Sequence, residues 1–297
     1  MATLRQLKAF VATAEFKKMS EAAKHLYISQ PTVSQIISEL EKEYGTPLFE
    51  RQTRELRITP AGEILLKSAR EIIAIHESLD RNMKSLNARR PLRVGATLTV
   101  GDTMISELAV LLKERCPDID LSVTVHNTRR IEDMLLRSEL DLALSEGVIN
   151  HPDIVTKPVF VDHLCLICGK THPFASRDAI ALRELRDQEF ILRERGSGTR
   201  AIFEKIMSEH NLPFVAKWEC NSSRAIAEAV RRGLGLGFIS DRCVQEEIRS
   251  GEIFPCPLPE ISMSRFFYLC RCQYQTVTSQ MADFSDLINA VLAPSMR

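Results

Sequence analysis

The sequence lacks the features of several protein classes. No apolar run approaches the roughly 20 residues that a membrane-spanning helix needs. The N-terminal stretch MATLRQLKAFVATAEF has the pattern of an amphipathic helix and not that of an export signal. All eight cysteines lie after residue 115 and follow no framework spacing, which argues against a disulfide-stapled secreted domain. We therefore expect a cytoplasmic protein with reduced thiols and no membrane partner.

Motifs of catalysis and cofactor binding are missing as well. The segment RGSGTR at 195–200 is neither a Walker motif nor a dinucleotide fingerprint. No nucleophile–base pair and no zinc-ligand spacing can be assembled. Cys165 and Cys168 are three apart on a predicted strand and so point to opposite faces, whereas Cys270 and Cys272 share a face. We expect no enzymatic activity, no cofactor and no metal.

The net charge of zero conceals an asymmetry between the two ends of the chain. Residues 1–90 hold 15 Lys and Arg against 11 Asp and Glu, and the remainder holds 24 against 28. The sign favours nucleic acid as a partner of the N-terminal part only. At 297 residues the chain is long enough for two or three domains.

The stretch from Ser20 to Arg51 predicts two short helices joined by a tight turn, with a further helix before them. Ser29 is placed to cap the second helix of the pair, Pro31 suits its first turn, and Gly45 suits its C-terminal end. Its predicted apolar stripe consists of Val33, Ile36, Ile37, Leu40 and Tyr44.

This leaves uncharged hydrogen-bonding side chains on the other face, including Gln30, Thr32, Ser34 and Gln35. Amides and hydroxyls can match the donors and acceptors of base edges in a major groove, so the pattern predicts a helix-turn-helix. The segment 50–59 predicts a two-stranded wing with arginines for phosphate or minor-groove contact; a solvated basic loop is the alternative.

A long helix is predicted from Pro60 to about Leu86. Its seam residues have heptad spacing and are Leu65, Ala69, Ile72, His76, Leu79, Met83 and Leu86. A stripe this narrow favours a partner helix, so we expect a homodimer whose two DNA-reading ends address paired half-sites.

After the polar segment NARRP the pattern changes to alternating strands and helices, which indicates parallel sheets. We predict two α/β lobes with a cleft between them. The predicted domains are 1–59 (winged helix-turn-helix), 60–90 (linker helix and hinge) and 91–297 (effector domain), with lobe I at about 91–161 and 267–297 and lobe II at about 162–266.

Three loops precede predicted helices on the cleft rim: 97–101, with a helix from about Asp102; 195–200; and 221–223. Helix N-termini, hydroxyls and flanking arginines suit a small anion of carboxylate, sulfate or phosphate type, although each loop taken alone could be an ordinary helix cap. The candidate effector-binding residues are Thr97, Leu98, Thr99, Gly101, Ser145, Arg195, Ser197, Gly198, Thr199 and Asn221.

Over its whole length the chain resembles the LysR-type transcriptional regulators. The resemblance rests on SQPTVSQIISELEKEYGTPLFER, on the wing with ITPAG, and on GSGTR and GLGLGFIS in the C-terminal part. It implies promoter DNA as partner, an effector domain like a periplasmic binding protein, and a dimer-of-dimers tetramer; RNA polymerase is a further candidate partner. It also implies that bases are read by Gln30, Thr32, Ser34 and Gln35, and that Arg51 and Arg54 hold the DNA backbone. Pro31 is a further candidate DNA-binding residue.

The residues leave alternatives open. A solute-binding protein or an enzyme could use the same two lobes, but no export signal and no catalytic constellation supports either. A regulator that senses oxidants through its cysteines, without a small-molecule effector, is the other alternative. The identity of the effector does not follow from the resemblance, because Leu98 stands between the two hydroxyls of the first loop.

Overall fold

The structure, a computed structural model, describes residues 2–51, 56–84, 90–147 and 149–292. The chain divides into two compact units, one comprising residues 1–87 with the short segment 274–276, and the other the remaining residues. Within the described ranges, no helix combines the length and the apolar character that crossing a membrane would require.

The first unit is a helical head with a short hairpin and a long helix. Its elements, in chain order, are α1 (Leu4–Phe16), α2 (Met19–His25), α3 (Gln30–Tyr44), β1 (Phe49–Arg51), β2 (Leu56–Ile58) and α4 (Pro60–Lys84).

Local signals set the ends of α3 as predicted. The Ser29 hydroxyl accepts a hydrogen bond from the Thr32 N–H at 3.3 Å, and Gly45 ends the helix with φ of 67°. The buried stripe consists of Val33, Ile36, Ile37 and Leu40. The fifth predicted member, Tyr44, is 47% exposed, because the core closes one turn before the end of the helix.

The predicted heptad residues of α4 do not form one continuous exposed surface. Ala69 is fully buried and Leu65 partly so, and both pack into the core of the head. Ion pairs also hold α4 to α1: Lys8 Nζ lies 3.0 Å from Glu77 Oε1, and Arg70 Nη2 lies 3.6 Å from Glu15 Oε1. The exposed apolar side chains of the helix are Ile64, Ile72, Ile75, Leu79 and Met83. The predicted seam is therefore wrong at its N-terminal end, and Leu86 lies outside the described residues.

The second unit is built on one nine-stranded sheet. Its elements, in chain order, are β3 (Arg90–Ala96), α5 (Leu98–Thr103), α6 (Ile105–Arg115), β4 (Ile119–Val125), α7 (Thr128–Leu136), β5 (Leu142–Glu146), β6 (Ile154–Gly169), β7 (Glu189–Arg193), α8 (Gly198–Glu209), β8 (Val215–Cys220), α9 (Ser223–Arg231), β9 (Leu236–Ser240), α10 (Gln245–Arg249), β10 (Ile253–Pro255), β11 (Ser264–Cys272) and α11 (Ser279–Leu292).

The strand order is β4-β3-β5-β11-β6-β9-β7-β8, with β10 paired to β6. In lobe I, β3 pairs with β4 and β5 in parallel, and in lobe II β7 pairs with β8 and β9 in parallel, which confirms the predicted α/β lobes. The two lobes are joined by β6 and β11. These strands run antiparallel to each other, and β6 continues from one lobe into the other without a break.

One predicted element boundary is wrong. The loop 97–101 was expected to precede a helix beginning at Asp102, but a short helix already begins at Leu98, with Thr97 as its N-cap. The Thr97 hydroxyl accepts a hydrogen bond from the Glu146 N–H at 2.9 Å, so the capping residue is tied to the neighbouring strand β5.

Candidate functional site

The exposed face of α3 carries the polar side chains expected to read bases. Gln30, Pro31 and Gln35 are exposed, and Thr32 and Ser34 are half-buried. The opposite face is the buried stripe, so the helix is fixed to the head while its polar side stays accessible. The structure thus brings the five predicted residues to one surface.

The wing is confirmed as an antiparallel pair of strands, in which Phe49 faces Ile58 and Arg51 faces Leu56. Arg54 lies outside the described residues, and so does the side chain of Arg51. Their predicted contact with the DNA backbone stays a prediction.

In the second unit, four charged side chains meet where the two lobes join. Glu146, Asp162 and Arg193 are each 1% exposed and Arg265 is 6% exposed. We call them the central charge cluster. Burying a charge is costly unless opposite charges and hydrogen bonds surround it, and the geometry of this cluster supplies both.

Arg265 is the centre of the cluster. Its Nε donates to Asp162 Oδ2 at 2.7 Å, and its Nη2 lies 3.7 Å from Glu146 Oε2. Its Nη1 donates to the Thr199 hydroxyl at 2.8 Å and its Nη2 to the Thr99 hydroxyl at 3.3 Å. Thr99 belongs to lobe I and Thr199 to lobe II, so one guanidinium group holds both sides of the cleft.

Glu146 occupies the position where we expected an external anion. Its Oε2 accepts a hydrogen bond from the Thr99 N–H at the start of α5, at 2.9 Å. Its Oε1 lies 3.5 Å from Arg193 Nη1. A carboxylate is favoured at a helix N-terminus, and here the chain supplies that carboxylate itself.

The remaining members are satisfied in the same way. Arg193 Nε donates to Glu194 Oε2 at 2.9 Å, and Asp162 Oδ1 accepts from the Ser240 hydroxyl at 2.7 Å. Burial disfavours the charged form of Arg193, but Glu194 and Glu146 outweigh it, so the pKa of Arg193 is raised. All the arginine charges of the cluster are therefore neutralised within the chain.

Two buried polar atoms on the second unit have no hydrogen-bond partner among the described residues. They are Ser197 Oγ and Arg242 Nε. Ser197 is the N-cap of α8 and is 2% exposed, yet its hydroxyl does not cap the helix. The Arg242 guanidinium lies 5.0 Å from the centre of the Phe160 ring. A buried hydroxyl without a partner at a helix N-terminus is suited to a ligand oxygen.

The structure separates the ten predicted effector residues into two groups. Thr97, Thr99, Ser145, Ser197 and Thr199 are buried, Gly198 is half-buried, and all lie near the carboxyl ends of β3, β5 and β7. Gly198 approaches the other lobe closely: a Cβ there would come within 2.1 Å of the Glu146 carbonyl oxygen.

The other predicted positions have ordinary structural explanations. Leu98 is half-buried, and Gly101 packs against Val125, where an added Cβ would lie 2.6 Å from Cγ1. Arg195 and Asn221 are exposed, and the α9 helix after Asn221 is capped by the Ser222 hydroxyl, which accepts from the Ala225 N–H at 3.2 Å.

In the part of the chain that the structure describes, no group of three or more His, Cys, Asp and Glu is arranged to hold a metal.

Comparison with known families explains why this head and this cleft occur in one chain. Residues 4–63 match the family described as bacterial regulatory helix-turn-helix protein, lysR family, and residues 87–293 match the LysR substrate binding domain. The chain belongs to the LysR family. It is a LysR-type transcriptional regulator with a DNA-binding head and an effector-binding domain, as its sequence predicted.

Individual LysR-family proteins are similar over most of the chain. The HTH-type transcriptional regulator CysL of Bacillus subtilis (strain 168) is 29% identical over 261 residues, 87% of each chain. A probable RuBisCO transcriptional regulator of Cyanophora paradoxa is 32% identical over 270 residues, covering 88% of this chain and 82% of the relative. Among solved structures, the regulatory domain of Synechocystis PCC6803 CcmR in complex with 2-PG has a TM-score of 0.64 and 25% identity; the match covers 68% of this chain and 97% of that one.

Sequence reasoning missed the central charge cluster of this LysR-family chain. A signal was present, because each member is a charged residue in or beside an apolar strand: Glu146 in LALSEG, Asp162 in VFVDHL, Arg193 in FILRE and Arg265 in SRFFYL. Charged residues in such strands are expected to be paired. The pattern cannot say with which partner.

We expect Arg265→Met to destabilise the second unit by about 3–5 kcal/mol, because Asp162 and Glu146 would remain buried with a partner removed. Urea unfolding followed by the fluorescence of Trp218 measures this, since Trp218 lies on β8 and is the only tryptophan of the chain. Replacing Asp162 by Leu in the same variant should recover part of the loss.

Arg271→Met is the matched control, because Arg271 lies on the same strand but its Nη1 donates to the carbonyl oxygen of Cys272 and not to a buried carboxylate. Equal losses of stability in the two single variants would contradict a special role for Arg265.

Proposed function

We propose that the activity of this regulator on promoter DNA is changed by a small anionic metabolite bound between the two lobes. The observation that carries the proposal is Ser197, whose hydroxyl is buried at the start of α8 without a partner among the described residues. A twelve-residue helix favours negative charge at this end. Carboxylate, sulfate and phosphate groups all fit this chemistry.

The central charge cluster restricts the positions in the cleft at which such an anion can bind. Thr99 N–H already donates to Glu146, and the two arginines of the cluster are paired. We place the anionic group on the α8 side, at Ser197, Gly198 and Thr199, and not at α5. An anion at α5 would have to displace the Glu146 carboxylate and leave it unpaired.

Ligand binding would act by changing lobe closure. We take the contacts across the cleft to hold its closed arrangement, among them the Gly198 N–H to the Thr128 hydroxyl at 3.2 Å and the Arg129 N–H to the Gly196 carbonyl at 3.3 Å. A ligand that binds more tightly when these contacts are made shifts the population toward the closed form.

We expect Ser197→Ala to weaken anion binding and to leave the stability of the ligand-free protein nearly unchanged, because this hydroxyl has no partner in the described part of the chain to lose. A thermal-shift titration with sulfate, phosphate, acetate and 2-PG measures both quantities; 2-PG is included because the similar CcmR domain was solved with it. The loss of one hydrogen bond to an anion should reduce affinity by about tenfold.

Ser208→Ala is the control, because Ser208 is an exposed serine of the same helix α8 but lies at its C-terminal end, about three turns from Ser197. An anion that stabilises wild type and Ser197→Ala equally would remove the proposed site.

For the DNA-binding head, we propose base contacts by Gln30, Pro31, Thr32, Ser34 and Gln35 and backbone contacts by Arg51 and Arg54. The accessible polar face of α3 supports the first group, and the charge excess of residues 1–90 supports the second. We keep the domain boundaries at 59 and 90. Such a protein works in the compartment that holds the DNA, which for this family we take to be the cytoplasm.

We propose further that the chain dimerises through α4 and assembles as a dimer of dimers. The exposed apolar face formed by Ile64, Ile72, Ile75, Leu79 and Met83 supports this, because each of these side chains is at least 49% exposed on the single chain. Apolar side chains repeating on one face of a long helix favour a partner helix. RNA polymerase is a candidate contact of the assembled protein.

Leu79→Glu should shift the assembly toward monomers, because it places a charge in the middle of this apolar face. Sedimentation velocity over a range of concentrations measures the shift, and we expect dissociation to begin at concentrations at least tenfold higher than for wild type. Lys67→Glu, on the same helix but outside the apolar face, should leave the assembly intact. Unchanged assembly in Leu79→Glu would contradict the proposed interface.

A redox-sensing regulator is the second candidate, and one observation favours it. Cys168 on β6 and Cys256, directly after β10, are both buried, and the neighbouring Cys256 side chain lowers the pKa of Cys168. They are 88 residues apart in sequence, so no spacing pattern indicates them. Elsewhere burial opposes thiolate formation: it raises the pKa of Cys243 and of Cys270 to about 12.

We expect oxidant to leave DNA binding unchanged, because the buried Cys168 and Cys256 are shielded from solvent and burial keeps Cys243 and Cys270 protonated near neutral pH. Gel shifts before and after treatment with hydrogen peroxide, with mass spectrometry of the thiols, measure this. Loss of binding that is abolished by Cys256→Ser and retained in Cys116→Ser would favour the redox alternative.

A further inference from the structure

Four polar residues link the start of α1 to the exposed face of α3. They are Thr3, Gln6, Glu39 and Gln35, and we call them the amide relay. Gln6 Nε2 donates to Glu39 Oε2 at 3.0 Å, and Gln35 Nε2 donates to Glu39 Oε1 at 2.9 Å. Glu39 thus lies between two amides, one from each helix.

The first amide is oriented by the cap of α1. The Thr3 backbone N–H donates to Gln6 Oε1 at 2.9 Å, and the Thr3 hydroxyl lies 3.0 Å from the same oxygen. A backbone N–H can only donate, so the oxygen of Gln6 must face Thr3. The NH2 group of Gln6 is therefore the end that faces Glu39.

The second amide is oriented by Glu39. An ionised carboxylate can only accept hydrogen bonds, so Gln35 must turn its NH2 group toward it. The oxygen of Gln35 and its second N–H are left for another partner. Because Gln35 is on the exposed side of α3, that partner can come from outside the protein.

We propose that Glu39 is a positioning residue that makes Gln35 select adenine over guanine. The inference rests on the proposed base-reading role of Gln35. Adenine presents the N6 amino group as donor and N7 as acceptor in the major groove, which match the free oxygen and the free N–H of Gln35. Guanine presents two acceptors, N7 and O6, and its O6 would meet the oxygen of Gln35.

The amide relay predicts how Glu39→Gln changes the base that Gln35 prefers. The oxygen of the new amide must accept from Gln6, whose orientation is still set by Thr3. Its NH2 group then faces Gln35, which has to turn its oxygen inward and present both N–H donors outward. The preferred base should change from adenine to guanine. Glu39→Ala removes the constraint and should leave little preference between the two.

The experiment uses the full-length protein. Selection from random duplexes identifies the position whose preference is flattened by Gln35→Ala, and dissociation constants are then measured for duplexes with adenine or guanine at that position. We expect wild type to favour adenine on the order of tenfold, Glu39→Gln to favour guanine, and Glu39→Ala to bind both within about twofold.

Glu43→Gln separates orientation from charge. It removes the same negative charge from the same helix one turn beyond Glu39, so it should reproduce only the nonspecific charge effect of Glu39→Gln on affinity, while adenine stays preferred. Thermal melting checks that each variant is folded, which we expect because Gln35, Glu39 and Glu43 are exposed.

Two results would overturn the inference, and they can be distinguished. A selection in which Gln35→Ala changes no position removes the base-reading role of Gln35 and the relay with it. A position that Gln35→Ala flattens but at which Glu39→Gln still favours adenine as wild type does leaves Gln35 as a base reader and removes only the relay.

Discussion

The second unit depends on the pairing of Arg265 with the carboxylates of Asp162 and Glu146. The side chain of Arg265, which is only 3% exposed, is stable there because each guanidinium nitrogen has a partner: Asp162 at Nε, Thr199 at Nη1, and Thr99 with Glu146 at Nη2. Since these partners come from both lobes, and since β6 and β11 run through both, the position of one lobe is coupled to the other at this point. Movement of either lobe has to rearrange the same buried charges.

The same network restricts the chemistry of the cleft. A site with unpaired arginines would attract any anion, whereas here Glu146 and Asp162 neutralise Arg193 and Arg265 from within the chain. Within the described part of the second unit, the Ser197 hydroxyl and the Arg242 Nε are buried without a hydrogen-bond partner. In our proposal the effector gains a hydrogen bond from the Ser197 hydroxyl, which has no partner to lose, and breaks no ion pair of the cluster. Selectivity would then follow from shape and hydrogen-bond geometry more than from net charge.

In the helical head, the polar side chains of α3 that are proposed to contact DNA have to be exposed and also held in one orientation. Burial orients side chains in the cleft, but on α3 only hydrogen bonds can do so. Glu39 accepts from amides on two helices, and the cap at Thr3 sets the direction of the first. An exposed glutamine that would otherwise present either end of its amide is thereby given one orientation, at the cost of placing a negative charge beside the proposed DNA surface.

Much of the molecule follows from the sequence, because the deciding interactions are local. Ser29 and Gly45 bound α3, apolar spacing defines its buried face, and strand–helix alternation predicts both lobes and brings the hydroxyls near Thr97 and Ser197 to one cleft. Only the tertiary structure decided which charges meet. Arg265 is 103 residues from Asp162 and 166 from Thr99, and Gln6 is 33 from Glu39. Such pairs depend on how β6, β11 and the helices pack, and a linear pattern of charged residues does not contain that information. The heptad spacing of α4 has the same limit. It places Leu65 and Ala69 in one pattern with Leu79, although Leu65 and Ala69 pack into the core of the head of their own chain.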